Sequence, residues 1–272
     1  MEQITLKEPG VVPMKTVILC GGFGTRIRDV AEDIPKPMIP VGRLPILWHL
    51  MKYYSSFGHN DFVLCLGYKG QVIKDFFLNY QAHTQDFTIS LGSPNTIKYH
   101  SSNNELNWNV TLVDTGLDSM TGSRVSQIRS YVDGEPFFLT YGDGLSNVDL
   151  SALQTFHESH GKTLTVTGVR PPGRFGELRA SSDGIVSEFN EKPQASDGLI
   201  SGGFFVCQPQ IFDVLDDRAD LVFEQEPVRN LVSQKEMAVF RHEGFWQCMD
   251  TARDWQLLNN LLQTNQAPWK TW

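Results

Sequence analysis

The segment Lys15-Thr-Val-Ile-Leu-Cys-Gly-Gly-Phe-Gly-Thr-Arg26 decides the fold class of this chain. Residues 15–20 form a short, largely apolar run that is partly β-branched, and such a run predicts a buried strand. Three glycines within the next four positions, Gly21, Gly22 and Gly24, predict a tight turn where the strand ends. The fold therefore begins with a buried strand that enters a glycine turn.

The segments that follow alternate between helix and strand patterns. Residues 45–57 carry apolar side chains at helical spacing, 61–66 form a second buried strand, and 71–80 form a second amphipathic helix. Further strands are predicted at 110–113, 136–141, 163–169, 200–206 and 237–240, and further helices at 150–159 and 250–262. This alternation predicts an α/β fold with a Rossmann-like, mostly parallel mixed sheet flanked by helices on both sides.

The domain organisation is expected to be simple. We expect residues 1–13 to form a flexible N-terminal arm. We expect residues 14–272 to form a single domain, because they contain no internal repeat. The polar stretch 83–109 predicts an insertion or an extended loop within that domain.

Composition excludes several classes of function. The formal net charge of −8 argues against broad nucleic-acid binding but allows a small anionic ligand held by a few local cations. The four cysteines show no metal-ligand spacing and are expected to be reduced thiols in a core. No apolar run is long enough for a membrane span, and the first residues lack the pattern of a secretory signal. We therefore expect a cytoplasmic protein that binds neither membrane nor nucleic acid.

The glycine turn suggests a site for phosphate groups. Closely spaced glycines let backbone N–H groups approach a ligand, and such a turn can cradle phosphates. Its glycines fit neither the G-x-G-x-x-G fingerprint of dinucleotide-binding units nor the ending of a P-loop. Two cations follow, Arg26 and Lys36, and the prolines on either side of Lys36 restrict its backbone. A surface turn with two solvated cations is the alternative.

These residues belong to a longer series of motifs. In chain order they are Gly21-Gly-Phe-Gly-Thr-Arg26, Lys36-Pro-Met38, Pro45-Ile-Leu-Trp-His49, Gly67-Tyr-Lys-Gly70, Leu112-Val-Asp-Thr-Gly116, Met120-Thr-Gly122, Tyr141-Gly-Asp-Gly144, Pro171-Pro-Gly-Arg-Phe-Gly176, Glu191-Lys-Pro193, Gly202-Gly-Phe-Phe205 and Gly244-Phe-Trp-Gln-Cys-Met-Asp250. The series resembles the sugar-1-phosphate nucleotidylyltransferases, and most closely their cytidylyl branch, over nearly all of 14–272. The resemblance implies a GT-A-like fold and a Mg²⁺-dependent reaction of CTP with glucose 1-phosphate that gives CDP-glucose and pyrophosphate.

The resemblance also implies roles for the charged residues. Arg26 is expected to bind the β- and γ-phosphates of the nucleotide, and Lys36 its α-phosphate. Asp143 follows a buried strand and offers the hard oxygen ligands that Mg²⁺ prefers, although an Asp between glycines can also cap a turn. Asp250 is the second metal ligand by resemblance, and an N-cap of the following helix is its alternative role. The residues Gly21, Gly22, Gly24 and Thr25 are also expected to bind the nucleotide.

The resemblance assigns a second group of residues to the sugar phosphate. Lys192 is expected to hold its phosphate, and Glu191 to accept hydrogen bonds from sugar hydroxyls. Gly176, Gly202 and Gly203 are expected to lie against the sugar ring, or to be turns at strand ends.

The segment that follows residue 120 is expected to meet the base and ribose through Thr121 and Gly122. Ser123 stands where the family pattern has glycine, so the chain departs from the family at this position. Arg124 could reach a pyrimidine carbonyl or remain on the surface in solvent.

Three functions compete at this point: a CTP-dependent transferase, the same chemistry with UTP, dTTP or another sugar 1-phosphate, and a non-catalytic nucleotide sensor. A sensor is expected to lose the metal ligands or the phosphate-binding cations, and this chain keeps them. The family is commonly oligomeric, so a homo-oligomer is expected. The Trp-bearing tail 257–272 could form an interface or pack on its own domain.

Overall fold

A computed structural model describes residues 12–24, 27, 32–92, 94–100, 107–170, 177–180, 186–190 and 198–272. The predicted flexible arm lies outside these residues except for Val12 and Pro13. Within the described residues, no helix has both the length and the apolar character that crossing a bilayer requires.

Strands and helices alternate along most of the chain. The strands are β1 (Lys15–Leu19), β2 (Pro40–Val41), β3 (Leu44–Pro45), β4 (Asp61–Leu66), β5 (Phe87–Ser90), β6 (Thr96–Tyr99), β7 (Asn109–Asp114), β8 (Phe137–Tyr141), β9 (Gly144–Ser146), β10 (Leu164–Val169), β11 (Glu177–Ala180), β12 (Val186–Asn190), β13 (Ile200–Cys207), β14 (Met237–His242) and β15 (Trp246–Cys248). The α-helices are α1 (Ile46–Ser56), α2 (Gly70–Leu78), α3 (Tyr80–Thr84), α4 (Thr121–Gln127), α5 (Leu150–His160), α6 (Glu226–Ser233) and α7 (Ala252–Gln263).

A seven-stranded sheet forms the centre, in the order β14-β10-β13-β8-β1-β4-β7. Strand β13 is antiparallel to both of its neighbours, and the other neighbouring pairs are parallel. The predicted mostly parallel mixed sheet is confirmed. Because β1, β4, β7 and β8 run in the same direction, the glycine turn after β1 and the Gly142-Asp143 turn after β8 meet at one edge.

The central strands β1, β4, β8 and β10 are buried on both faces, which explains their continuous apolar runs. Ile18 and Phe138 point into one core, and Val17 and Leu139 into the other, because successive side chains of a strand alternate between faces. The C-terminal tail contributes to the first core through Trp269, which is fully buried and stacks on Phe245. The tail therefore packs on its own domain at this residue.

Several elements differ from the sequence-based predictions. The stretch predicted as an insertion or loop at 83–109 contains an antiparallel two-stranded ribbon, β5–β6, whose described side chains are mostly exposed. Helices α4 and α6 and the ribbon β11–β12 were not predicted. Helix α7 begins at Ala252 rather than at residue 250, because Thr251 and Asp254 form a capping box there.

Candidate active site

A cavity of about 410 Å³ opens at the edge of the sheet where β1 and β8 end. Its lining includes Gly21, Gly22, Gly24, Lys36, Thr121, Asp143 and Asp250. One cavity therefore contains the predicted phosphate turn, one predicted phosphate-binding cation and the two predicted metal ligands.

The glycine turn is fixed by backbone contacts with the neighbouring strand. The N–H of Cys20 donates to the carbonyl of Cys65 at 3.0 Å, and the N–H of Tyr68 donates to the carbonyl of Gly21 at 3.2 Å. Gly24 has a φ of +59°, and a Cβ there would lie 3.1 Å from Cβ of Lys36. Gly24 thus provides both the left-handed conformation and the room for the lysine stem to pass.

Lys36 lies at the start of a short 3-10 helix, Lys36–Met38, between two prolines. Its Nζ donates to Oδ2 of Asp143 at 2.5 Å and also to Oδ1 of Asp250. Burial lowers the pKa of Lys36. The charge of Asp143 and the hydrogen bonds to both aspartates raise this pKa by more than burial lowers it, so it lies above its usual value. Lys36 is therefore a permanent cation at this site.

Pairing of β9 with β15 brings the two aspartates together. Asp143 directly precedes β9, and Asp250 is the second residue after β15. Gly144 is opposite Cys248 in this pair, and the N–H of Met249 donates to the carbonyl of Asp143 at 2.9 Å. Two carboxylates that are far apart in sequence therefore face the same ammonium group.

The alternative N-cap role of Asp250 is wrong. The side chain of Thr251 caps α7, and the N–H of Asp250 donates to Oδ2 of Asp254 at 3.1 Å. The carboxylate of Asp250 is directed to Lys36 instead.

The donor set fits a divalent cation that prefers oxygen. Among the described residues, ligand atoms of Asp143, Cys248 and Asp250 all lie within 4.8 Å of one another. Burial, followed by the charge of Asp143, raises the pKa of the Cys248 thiol, so this group is neutral near pH 7. Two carboxylates beside a neutral thiol match the preference of Mg²⁺ for hard ligands.

Arg124 does not remain on the surface in solvent, and its contact with a pyrimidine carbonyl stays a prediction because it lines the cavity. Its side chain is buried, and its guanidinium donates to the carbonyls of Leu66, Gly116, Gly21 and Leu117 and to the hydroxyl of Thr115. A Cβ on Gly21 would lie 2.2 Å from Cζ of Arg124. The arginine thus connects the glycine turn to the loop after β7, and that loop lines the cavity.

Thr121 and Gly122 contact a loop of their own chain. Thr121 lines the cavity, and its hydroxyl donates to Oε2 of Glu224 at 2.7 Å and accepts from the N–H of Phe223 at 2.9 Å. The N–H of Gly122 donates to the carbonyl of Leu221 at 2.9 Å, and a Cβ there would lie 2.8 Å from Cγ of Leu221. Packing of this loop is sufficient to require glycine at position 122.

Gly202 and Gly203 lie inside strand β13 and are not turns at its end. The carbonyl of Gly202 accepts a hydrogen bond from the indole of Trp246 at 2.7 Å. Gly203 has a φ of +75°, and a Cβ there would lie 2.4 Å from the ring of Tyr141. A Cβ on Gly202 would lie 2.8 Å from Cγ1 of Val169, so packing accounts for both glycines, and their contact with a sugar stays a prediction.

Five predicted site residues lie outside the described part of the chain: Thr25, Arg26, Gly176, Glu191 and Lys192. Their roles stay predictions.

The chain belongs to the nucleotidyl transferase family, whose sequence profile matches residues 15–256. Within that family it is similar to glucose-1-phosphate cytidylyltransferases. It is 48% identical to the Salmonella typhi protein over 260 residues, which cover 95% of this chain and 100% of the relative. It is also 43% identical to the probable glucose-1-phosphate cytidylyltransferase of Bacillus subtilis. That match extends over 267 residues and covers 95% of this chain and 100% of that protein. The resemblance inferred from the motifs is confirmed.

The fold is shared with solved structures of low sequence identity. A putative glucose-1-phosphate thymidylyltransferase from Bacillus anthracis superposes with a TM-score of 0.66 at 16% identity, covering 91% of this chain and 94% of that one. This likeness supports the assignment of the fold.

Proposed function

We propose that this protein transfers a cytidylyl group from CTP to α-D-glucose 1-phosphate, forming CDP-glucose and releasing pyrophosphate. The observation that carries the proposal is the single cavity in which the glycine turn, Lys36 and the pair Asp143 and Asp250 meet. The similarity to cytidylyltransferases over 95% of the chain supports the choice of CTP and of glucose.

Repulsion between two anions is the main obstacle to this reaction. An oxygen of the sugar phosphate attacks the α-phosphorus of CTP, and the bond from that phosphorus to the bridging oxygen breaks to release pyrophosphate. Catalysis then depends on charge neutralisation and alignment more than on covalent chemistry. The N–H groups of the glycine turn can bind phosphate oxygens, and the Lys36 ammonium can offset charge at the α-phosphate.

Asp143 and Asp250 are proposed to hold Mg²⁺, which would neutralise charge on the triphosphate. We propose that Arg26 binds the β- and γ-phosphates and that Thr25 also contacts the nucleotide. For the sugar phosphate we retain Lys192 and Glu191, with the glycines Gly176, Gly202 and Gly203 near the sugar ring.

We also propose that the protein is a cytoplasmic homo-oligomer. All four cysteines lie among the described residues and are unpaired, which suits a reducing compartment. The β5–β6 ribbon carries Phe87, Ile89 and Ile97, each at least 41% exposed, and Ile89 is paired with Ile97 across the strands. An apolar ribbon face of this kind is expected to be covered by a second copy of the chain.

The experiment is a substrate panel with identification of the product. Purified protein is incubated with Mg²⁺, one of CTP, UTP, dTTP, ATP or GTP, and one of several sugar 1-phosphates. Mass spectrometry of the nucleotide-sugar should show CDP-glucose as the main product. A clear preference for another triphosphate would refute the choice of base but not the transfer chemistry.

A further inference from the structure

The ammonium of Lys36 is located where a cation would bind between the two aspartates. It contacts one carboxylate oxygen of Asp143 and one of Asp250, and its side chain is only 12% exposed. The ligand atoms of Asp143, Cys248 and Asp250 lie within 4.8 Å of one another, a spacing suited to one small cation. An amino group of the chain therefore holds both carboxylates.

Charge makes simultaneous occupancy unfavourable. Two carboxylates and one ammonium leave these three groups with one net negative charge. Adding a divalent cation while the ammonium stays in place would make the cluster net positive, with two cations in contact and partly shielded from water. A triphosphate in the cavity reverses this balance, because its phosphates can accept the ammonium as well as the cation.

The lysine can exchange these partners without a change of fold. Its backbone is fixed by the 3-10 helix and the adjacent prolines, and its Cβ lies against Gly24. Rotations about the remaining side-chain bonds can move Nζ from the aspartates toward the glycine turn, which lines the same cavity.

We propose that Lys36 is a built-in competitor for the metal site: it keeps divalent-cation affinity low until a nucleoside triphosphate draws its ammonium away from Asp143 and Asp250. Metal and nucleotide then bind cooperatively, and metal binding without nucleotide is suppressed. The inference rests on the proposed function, because it takes the ligands to be a divalent cation and a triphosphate.

The test measures Mn²⁺ binding without nucleotide, by the electron paramagnetic resonance signal of free Mn²⁺. The variants are Lys36→Gln and, as a second neutral replacement, Lys36→Met. Lys15→Gln is the matched control, because Lys15 also lies between two aspartates, Asp61 at 2.9 Å and Asp133 at 3.1 Å, and begins β1 at the end far from the cavity. Circular dichroism establishes that each variant is folded.

We expect both Lys36 variants to bind one Mn²⁺ at least about tenfold more tightly than the wild type, and Lys15→Gln to bind it as the wild type does. With a non-hydrolysable CTP analogue present, the wild type should gain Mn²⁺ affinity by a larger factor than Lys36→Gln does. Equal Mn²⁺ affinity of the wild type and both Lys36 variants without nucleotide would overturn the proposal.

A double variant locates the gained site. Lys36→Gln combined with Asp143→Asn should lose the added Mn²⁺ affinity, and retention of it would place the metal elsewhere and overturn the proposal. If the wild type produces a nucleotide-sugar yet binds Mn²⁺ alone as tightly as the Lys36 variants, only the competition is refuted. If no substrate reacts, the proposed function fails instead.

Discussion

Arg124 lies directly against Gly21: its Nη2 donates to the carbonyl of Gly21 at 3.2 Å, and a Cβ on that glycine would lie 2.2 Å from Cζ of the arginine. The same guanidinium donates to carbonyls of Leu66 and Gly116 at 2.9 and 2.8 Å. One buried cation thereby fixes the position of the turn that is proposed to bind phosphate.

Replacing this arginine should destabilise the protein. Arg124→Met removes hydrogen bonds to four carbonyls and to the Thr115 hydroxyl, three of them buried, and we expect the free energy of unfolding to fall by about 2–4 kcal/mol. Urea unfolding followed by circular dichroism measures it. Arg129→Met, at an arginine whose side chain is 62% exposed, is the control and should change stability by less than about 0.5 kcal/mol. A loss for Arg124→Met no larger than that of the control would contradict the assigned role.

Two adjacent glycines should respond differently to alanine. A Cβ on Gly22 meets nothing within 4 Å, whereas a Cβ on Gly21 overlaps Arg124. We expect Gly22→Ala to keep or slightly raise stability, by up to about 1 kcal/mol, but to weaken CTP binding at least about tenfold because its methyl group enters the phosphate space. Gly21→Ala should lose stability.

Calorimetric titration with CTP and Mg²⁺ checks this prediction. Gly92→Ala is the control, because a Cβ on Gly92 would also meet nothing within 4 Å. Unchanged CTP affinity in Gly22→Ala would remove Gly22 from the phosphate site.

Stability should decrease on acidification because of a buried histidine. Burial lowers the pKa of His49 to about 4, and its Nε2 is hydrogen-bonded to the carbonyl of Val41 at 2.8 Å. The unfolded chain takes up this proton near pH 6.5, whereas the folded protein does so only near pH 4. Stability is therefore complete above about pH 6.5 and declines as the pH falls to about 4.

Replacing the histidine should remove its part of this decline. Between pH 5 and 6 we expect the free energy of unfolding to fall less steeply with acidification in His49→Gln than in the wild type. The two slopes should differ by about 1 kcal/mol per pH unit. Parallel slopes from urea unfolding at each pH would exclude His49 as the source. His100→Gln, at an exposed position, is the control and should keep the wild-type slope.

Sequence patterns predict the buried parallel strands well because their burial on both faces produces unbroken apolar runs, as in β1 and β8. The ribbon β5–β6 was missed because its exposed strands lie in a polar stretch.

Periodicity could not show that Asp250 reaches Asp143, since this depends on the pairing of β9 with β15. Only the family resemblance placed the two together. The structural role of Arg124 was missed because its hydrogen-bond partners are mainly backbone carbonyls, which leave no trace in the sequence.

The most direct measurement is pyrophosphate release from CTP and glucose 1-phosphate by the wild type, Asp143→Ala and Asp118→Ala. Asp118 is an exposed residue that also lines the cavity, so it controls for a lost negative charge. We predict Mg²⁺-dependent release that EDTA stops, a loss of at least about a hundredfold in a folded Asp143→Ala, and a change below about threefold in Asp118→Ala. Near-normal release by folded Asp143→Ala, or none by the wild type with any triphosphate and sugar phosphate, would contradict the account.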